Sequence, residues 1–395
     1  MQAASDSPYI DLFLQNNLSS LNKLRRSGKT SILFRLHPRL RQSYAEYLTV
    51  SNAAAAAEQQ NLAIAGILNT FENMKFRRAA VWLSCAVQDF RVMIRQNGTG
   101  KVLDYSDRRK KDYYAVAVIV KNEARYIREF ILFYQATGAD RIYVYDNDST
   151  DNLLEEIEPF LKDGFVIYRK WSGRVVQTAA YRDAVRRTKH NTRWLALIDA
   201  DEFLFSPKGR MPEQLKAYED FPGIGVNWVM YGPNGHVKRP EGLVMDNYTT
   251  TQANSDALIN CHIKSIVQPR KVFCINRIHF VLDKGGKFAV NEQGWIIDNY
   301  CSVIPGNGKA FTARNHRTVF RINHYNTKSL EDLKAKCARG FPDGAPNANY
   351  DNLLLQFAEP LTEDYSIKPY ADLIRERCRQ RSSRTSERPV RAAEY

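Results

Sequence analysis

Residues Tyr114–Val120 (YAVAVIV) are apolar throughout with no polar alternation, the pattern of a strand covered on both faces. The next eighty residues repeat that theme. Ile127, Phe130, Ile131 and Tyr134 make a helical stripe within Tyr126–Thr137 that ends at Gly138. Arg141–Tyr145 (RIYVY) reads as the next strand, and Ser149-Thr150-Asp151 offers helix caps ahead of Leu153, Leu154, Ile157 and Leu161. Phe165–Arg169, Val176–Thr188 and Trp194–Ile198 (WLALI) continue as strand, helix and strand. Such alternation predicts an α/β fold, a parallel sheet with helices on both faces. Beyond Phe205 the rhythm loosens. Gly225–Met230, Lys264–Val267 and Val272–Phe280 read as strands, and Ser329–Gly340 as a helix capped by Ser329 with Glu331 and Asp332 in its first turn.

The chain has 395 residues, room for two or three units. Residues 1–111 read as a helix-rich accessory region. Ala53–Ala57 and Glu58-Gln59-Gln60 start a helix-forming stretch, with apolar residues at Leu62, Ile64, Ile67, Leu68 and Phe71; Ala79–Ile94 suits a buried helix or a strand. The charged segment Asp104–Asp112 marks a boundary, so the α/β domain is expected at 112–374 and a disordered Arg/Ser-rich tail at 375–395. A hydrophobic content of 44% excludes a disordered chain. The longest strongly apolar run, Tyr113–Val120, falls short of the roughly 20 residues of a membrane span. Asp6 and Asp11 stand where a secretory signal would be basic and then apolar, so a cytoplasmic protein, soluble or peripheral, is expected. Six scattered cysteines without a CxxC pair read as reduced structural thiols rather than a zinc ribbon or disulfide framework.

The net charge of +14 is unevenly placed. Residues 1–111 carry 17 Lys/Arg against 8 Asp/Glu, and residues 375–395 carry 7 Arg against 3 Glu, while the stretch between is nearly balanced. A nucleic-acid reader concentrates charge on its folded surface, so no nucleic-acid partner is expected. Basic ends suit an anionic membrane face, an acidic polymer or another protein, or serve solubility alone.

Chemistry gathers at the strand ends, where open parallel sheets bind ligands. Val120 is followed by Lys121-Asn122-Glu123, Tyr145 by Asp146-Asn147-Asp148, and Ile198 by Asp199-Ala200-Asp201-Glu202. Three strand ends thus deliver carboxylates to one rim, an arrangement that calls for a cation. Asp199 and Asp201, two residues apart, point the same way at a strand end, and Mn²⁺ or Mg²⁺ suits carboxylate and diphosphate oxygens together.

Val120–Tyr126 (VKNEARY), Asp146–Asp151 (DNDSTD) and Trp194–Leu204 (WLALIDADEFL) resemble the nucleotide-sugar half of a GT-A glycosyltransferase. Val226–His236 (VNWVMYGPNGH), Lys264–Pro269 (KSIVQP) and Asn323–Gly340 (NHYNTKSLEDLKAKCARG) narrow the likeness to glycosyltransferase family 92 and related family-2-like bacterial enzymes. The resemblance spans about Tyr113 to Gly340 and implies a GT-A fold. It implies that Lys121, Asn122, Glu123, Asp146 and Asp148 hold the nucleoside, although the family-2 pattern has two Asp before a Gly where this chain has Asp146-Asn147-Asp148. Gln177, Tyr181 and Arg182 would line the nucleotide pocket, Asp199 would meet metal and ribose, Asp201 and His324 would complete the metal ligands, and Lys328 and Arg339 would meet diphosphate charge. The acceptor would lie against the later loops, with Trp228, Gly235 and His236 among its contacts. Candidate bases for the acceptor hydroxyl are Glu241, Asp246 and Asp256, with Glu202 a support residue or base.

The expected activity is transfer of a hexose from a nucleotide sugar, UDP-linked, to a polysaccharide, glycoconjugate or lipid-linked acceptor, with inversion implied by the family likeness. Alternatives are nucleotidyl transfer, which usually needs a Gly-rich loop that Lys121–Ala124 is not, and a non-catalytic scaffold or anionic-polymer binder. Gly98–Lys101 and Gly306–Lys309 are incomplete as phosphate loops, and no HExxH occurs.

Overall fold

The computed structural model describes residues 82–90 and 92, 101–107, 109–255, 257, 259–275, 315–339 and 361–386, with short pieces between 279 and 312. Expectations for residues 1–81, for Asp256 and for 387–395 lie outside the described residues. The first half comprises α1 (residues 82–90), β1 (Val102–Leu103), β2 (Asp112–Val120), α2 (Ala124–Thr137), β3 (Arg141–Asp146), α3 (Leu153–Lys162), β4 (Val166–Lys170), α4 (Gln177–Thr188), β5 (Thr192–Leu197) and β6 (Glu202–Phe205). Then come α5 (Met211–Leu215), β7 (Gly223–Met230), α6 (Val244–Asn247), β8 (Thr250–Gln252), β9 (Ile263–Val267), β10 (Val272–Cys274) and β11 (Leu282–Asp283). The chain closes with β12 (Arg321–His324), α7 (Leu330–Arg339), β13 (Leu361–Glu363) and α8 (Lys368–Ser386).

Nine strands make one sheet in the order β1-β4-β3-β2-β5-β9-β7-β12-β6. Strands β4, β3, β2 and β5 are mutually parallel, the βαβ half read from the alternation. The other half is mixed: β9 runs antiparallel to β5 and β7, β12 parallel to β7, and β6 antiparallel to β12. The central strands serve two cores at once. Tyr114, Val116 and Val118 of β2, Ile142 and Val144 of β3, and Trp194 and Ala196 of β5 pack on the face covered by α2 and α3. Their neighbours Ala115, Ala117, Ile119, Tyr143, Tyr145, Leu195 and Leu197 pack on the opposite face, against Ala179, Ala180 and Ala184 of α4. Successive side chains of a strand point to opposite faces, so the unbroken apolar run is the direct consequence of two buried faces.

Helix α2 ends as its sequence suggests. Gly138 takes a left-handed conformation (φ +98°), and the Ala139 N–H donates to Tyr134 O at 2.9 Å. The starts of β2 and β3 are tied by a buried pair, Arg141 Nε to Asp112 Oδ2 at 2.8 Å and Nη2 to Oδ1 at 3.1 Å, with Nη1 donating to Gly164 O.

Two boundaries differ from the sequence reading. Strand β1, before the expected start at 112, pairs antiparallel with β4, and α1 places Cys85 and Val92 in buried positions. The domain therefore reaches back into the segment set aside as accessory. At the other end, α8 runs through Ser386, across the first part of the tail expected to be disordered. Its first turns are anchored by buried Ile367, Ala371 and Ile374, and Tyr370 packs its ring 5.2 Å from Phe133 and 5.5 Å from Phe205. Anchored there, an Arg-rich run propagates as helix.

Removing one partner of a buried ion pair strands the other charge. Arg141→Ala is expected to cost about 3–5 kcal/mol in urea unfolding, while Arg141→Ala with Asp112→Ala costs less than the sum of the two single changes.

Candidate active site

The carboxyl ends of β2, β3 and β5 meet at one rim, and their loops are stitched together. Asn147 N donates to Val120 O at 2.8 Å, Thr150 N to Asn122 Oδ1 at 2.8 Å, and Ala124 N to Asp151 Oδ2 at 2.9 Å. Asn122 (φ +55°) and Asp148 (φ +58°) both adopt left-handed backbone, which Asn and Asp tolerate better than other side chains. Asp148 thus takes a backbone conformation that glycine adopts readily. Its carboxylate accepts from Ser172 Oγ and from Gly173 N, the latter at 3.3 Å. Asp146 is buried, accepting from Ser149 N at 2.9 Å and Tyr168 OH at 2.7 Å.

Asp199 and Asp201 come after β5, and each is held by its own partners. Asp199 Oδ1 accepts from Gln177 Nε2 at 2.5 Å and Tyr181 OH at 2.9 Å, both side chains of α4. Its Oδ2 lies 2.7 Å from Lys264 Nζ, a fully buried ammonium on β9 that also sits 3.7 Å from Glu202 Oε2. Glu202 in turn accepts from Asp199 N at 2.9 Å. Asp201 Oδ2 lies 2.6 Å from Lys336 Nζ on α7, and Oδ1 lies 3.4 Å from His324 Nε2 at the end of β12. Lys336 also donates to Asn326 O at 3.1 Å.

The protonation states are set by burial and these partners. Burial pushes the Asp199 carboxyl up, but Lys264 outweighs it and holds the group below the ordinary carboxylate range. Burial acts on Asp201 in the same direction, and Lys336 and His324 drive it well below that range. Glu202 goes the other way: burial, with Asp199 adding to it, raises its carboxyl well above the usual value against the pull of Lys264. Burial lowers His324 despite the Asp201 carboxylate, keeping the ring neutral at physiological pH. His324 packs 4.4 Å from the Trp228 ring, which also stacks on His262 at 4.9 Å. Burial depresses His262 to about 4. His324 Nδ1 and Trp228 Nε1 are buried with no hydrogen-bond partner among the described residues.

Asp201 opens onto a cavity of about 590 Å³, lined by Asn122, Glu123, Tyr126, Asn326, Lys328 and Lys336 among others. Lys328, at left-handed φ +49°, lies 4.4 Å over the Tyr126 ring and 3.9 Å from Glu123. Arg125 and Arg239 also face the cavity. Acids (Glu123, Asp151, Glu156, Asp201, Asp332) and bases (Arg125, Arg239, Lys328, Lys336) both line it, which suits a charged, polar ligand.

The structure therefore gathers Asn122, Glu123, Asp201 and Lys328 around one space, with Asp199, Gln177, Tyr181 and His324 behind Asp201. Other candidates lie elsewhere. Arg182 spends its guanidinium on α1, donating to Asp89 and Gln88 at 2.8 Å each and to Ile275 O at 2.5 Å, so it braces a helix rather than lining the cavity. Glu241 is 94% exposed and pairs with Arg125 at 3.1 Å; Asp246 pairs with Arg375 of α8. Gly235 sits in a left-handed turn, and His236 Nε2 lies 3.2 Å from Asn247 O. Sequence reasoning assigned no role to Lys264 or Lys336. Lys264 is the one charge within the apolar strand IKSIV, a signal that a buried partner awaits it.

The family model for glycosyltransferase family 92 matches residues 114–337, more than half of the chain. A glycosyltransferase family 92 protein of Oryza sativa subsp. japonica is 30% identical over 201 residues, covering 49% of this chain and 34% of that protein. One from Arabidopsis thaliana is 27% identical over 207 residues, covering 48% and 35%. The chain thus spans about a third of the length of these relatives. Among solved structures, S. aureus TarS 1–349 in complex with UDP is 16% identical with a TM-score of 0.28, over 40% of this chain and 47% of that one.

Lys264→Met leaves Asp199 and Glu202 facing each other without their cation. A loss of about 3–5 kcal/mol is expected near pH 7 by chemical denaturation. The Asp199 carboxyl is depressed, so its contribution is complete above the unfolded value of about 4 and is lost as the pH falls through the lower folded value. The deficit of the variant should therefore shrink as the pH falls below about 4, and a deficit that stays equal from pH 7 down to about pH 2 would refute the pairing.

Proposed function

The chain belongs to glycosyltransferase family 92, and we propose that it transfers a hexose from a UDP-linked nucleotide sugar, with inversion, to a glycan or lipid-linked acceptor. The observation that carries this reading is the Asp199/Asp201 pair at the rim of the parallel sheet, its second member facing a polar cavity flanked by Lys328 and Lys336. Transfer from a nucleotide sugar needs its departing diphosphate neutralised. Two ammonium groups beside one carboxylate supply positive charge that a phosphate oxygen can take over. Gln177, Tyr181 and Lys264 fix Asp199 in one orientation, so the nucleotide meets a preset carboxylate instead of ordering one. In this reading the loop Lys121–Glu123 and the acids Asp146 and Asp148 bound the nucleoside, and Trp228, Gly235 and His236 belong to the acceptor side. Glu241 and Asp246 remain base candidates that must first leave their arginine partners.

A divalent cation, Mn²⁺ or Mg²⁺, fits the donor types: two carboxylates and an imidazole that burial keeps neutral. Among the described residues no group of three such side chains closes on one point. Such cations in phosphate-transfer sites commonly take one or two protein carboxylates and complete their shell with phosphate oxygens and water. Asp201 and His324 would hold the ion, with Asp199 behind them and Lys336 released from Asp201. When bound, it supplies charge neutralisation to the leaving diphosphate.

Among the described residues no helix is long and apolar enough to cross a membrane. The basic ends, residues 1–111 and 375–395, are proposed to hold this cytoplasmic enzyme against an anionic membrane face. Flotation with anionic liposomes is expected at low salt and weaker at moderate salt, and absence at both would refute it.

Thermal stability with nucleotides and nucleotide sugars, in Mn²⁺ and in EDTA, tests the donor site. UDP or one UDP-sugar at about 100 times its Kd should add about 2.7 kcal/mol. The gain is expected to need the cation and to vanish in Asp201→Ala. No gain with any nucleotide would favour a scaffold that has kept the fold without the reaction.

A further inference from the structure

Two thiols far apart in the chain meet away from the carboxylate rim. Cys85 of α1 and Cys274 at the end of β10, 189 residues apart, bring their Sγ atoms to 2.9 Å. Both are buried, at 7% and 5% exposure, and Cys85 Sγ also lies 3.7 Å from Ile275 O. Around them Arg182 of α4 reaches Asp89 and Gln88 of α1 and Ile275 O beyond β10, so one guanidinium grips both thiol-bearing segments. Helix α1 is otherwise lightly held: Trp82, Leu83 and Phe90 face outward, each more than half exposed.

We propose that Cys85 and Cys274 are a redox pair that closes to a disulfide and fastens α1 to β10. The sulfurs are already within about 1 Å of the 2.05 Å bond length, so closure needs only a small side-chain adjustment. The two thiols differ in their surroundings, and the more readily ionised one attacks first. The hydrogen bond from Cys274 and the charge of Arg182 bring the Cys85 thiol down to about 7 against the effect of burial, while Cys85 and burial push Cys274 up, leaving it protonated. With a small disulfide such as oxidised glutathione, the Cys85 thiolate attacks one sulfur and releases one glutathione thiolate, forming a mixed disulfide. Cys274 then loses its proton and displaces the second glutathione from Cys85. Two protein thiols and one glutathione disulfide give one protein disulfide and two glutathione thiols. Both thiols are buried, so the small disulfide reaches Cys85 through a local opening at the α1–β10 contact. The inference stands on the thiol geometry and does not depend on the proposed transferase activity.

The full chain, reduced and then equilibrated in glutathione buffers of graded ratio, decides the matter by peptide mapping after acid quench and alkylation under denaturing conditions. The expected result is one cross-linked peptide pair joining Cys85 to Cys274, lighter by two hydrogens, whose fraction rises and falls with the ratio. Closing so long a loop should raise Tm by about 5–10 °C in the oxidised form. Cys85→Ser and Cys274→Ser should each abolish the link and the Tm difference. Full alkylation of both cysteines in the most oxidising buffer, or a link to Cys261 or Cys337 instead, would overturn the proposal. So would a bond unchanged at every ratio, which is a fixed crosslink and not a redox pair. The mapping of the unaltered chain is decisive by itself should either serine variant fail to fold.

Discussion

A lysine with no exposure, wedged between the buried Glu202 and the half-buried Asp199, is the interaction on which the rim of this sheet depends. Asp199 and Glu202 stand close together in sequence, and in a low-dielectric interior their mutual repulsion would push one to take a proton. Lys264 resolves most of that conflict by holding Asp199 below the ordinary carboxylate range, while burial and Asp199 raise the Glu202 carboxyl above it. The cost of burying an ammonium is high, so the arrangement holds only because the strand that carries it is fixed. Strand β9 lies between β5 and β7, paired antiparallel to both, and this register places Lys264 beside the end of β5. The switch from a parallel to a mixed sheet is therefore what delivers the counter-charge.

This accounts for what could be read in the chain and what could not. Parallel strands buried on both faces announce themselves locally, because every residue of YAVAVIV must be apolar whichever way it points. The same local logic located Asp199 and Asp201 at a strand end, and the family resemblance put Gln177 and Tyr181 of α4 at the nucleotide pocket. Partners supplied by non-sequential elements were not legible. Lys264 comes from a strand inserted between β5 and β7, Lys336 from a helix more than a hundred residues downstream, and nothing in their own neighbourhoods says which acid each will meet. Arg182 shows the opposite error. Its position on α4, next to Tyr181, suggested the nucleotide pocket, but helical spacing turns it toward α1, where Asp89 and Gln88 claim it. The same α1 explains the boundary: a charged linker at Asp104–Asp112 reads as a domain edge, yet β1 and α1 are recruited across it by backbone pairing and one guanidinium.

The two acids of the Asp-Ala-Asp motif are not equivalent, and the difference lies in the stiffness of their partners. Asp199 is held by an amide, a phenol and an ammonium rooted in α4 and β9, all buried in the core, so none can leave without opening the fold. Asp201 is held by Lys336, whose long side chain projects from α7 into the cavity and shares its charge with Asn326. An ammonium on a flexible stem can exchange one anionic oxygen for another at little cost, whereas the set around Asp199 cannot. In the proposed reaction the first carboxylate is thus the fixed reference of the site and the second its exchangeable contact. A ligand bearing phosphate oxygens can draw Lys336 from Asp201 and leave that carboxylate, with the neutral His324 beside it, facing whatever cation accompanies the ligand. A site arranged this way stays electrically balanced when empty and becomes a cation site only as its anionic ligand arrives.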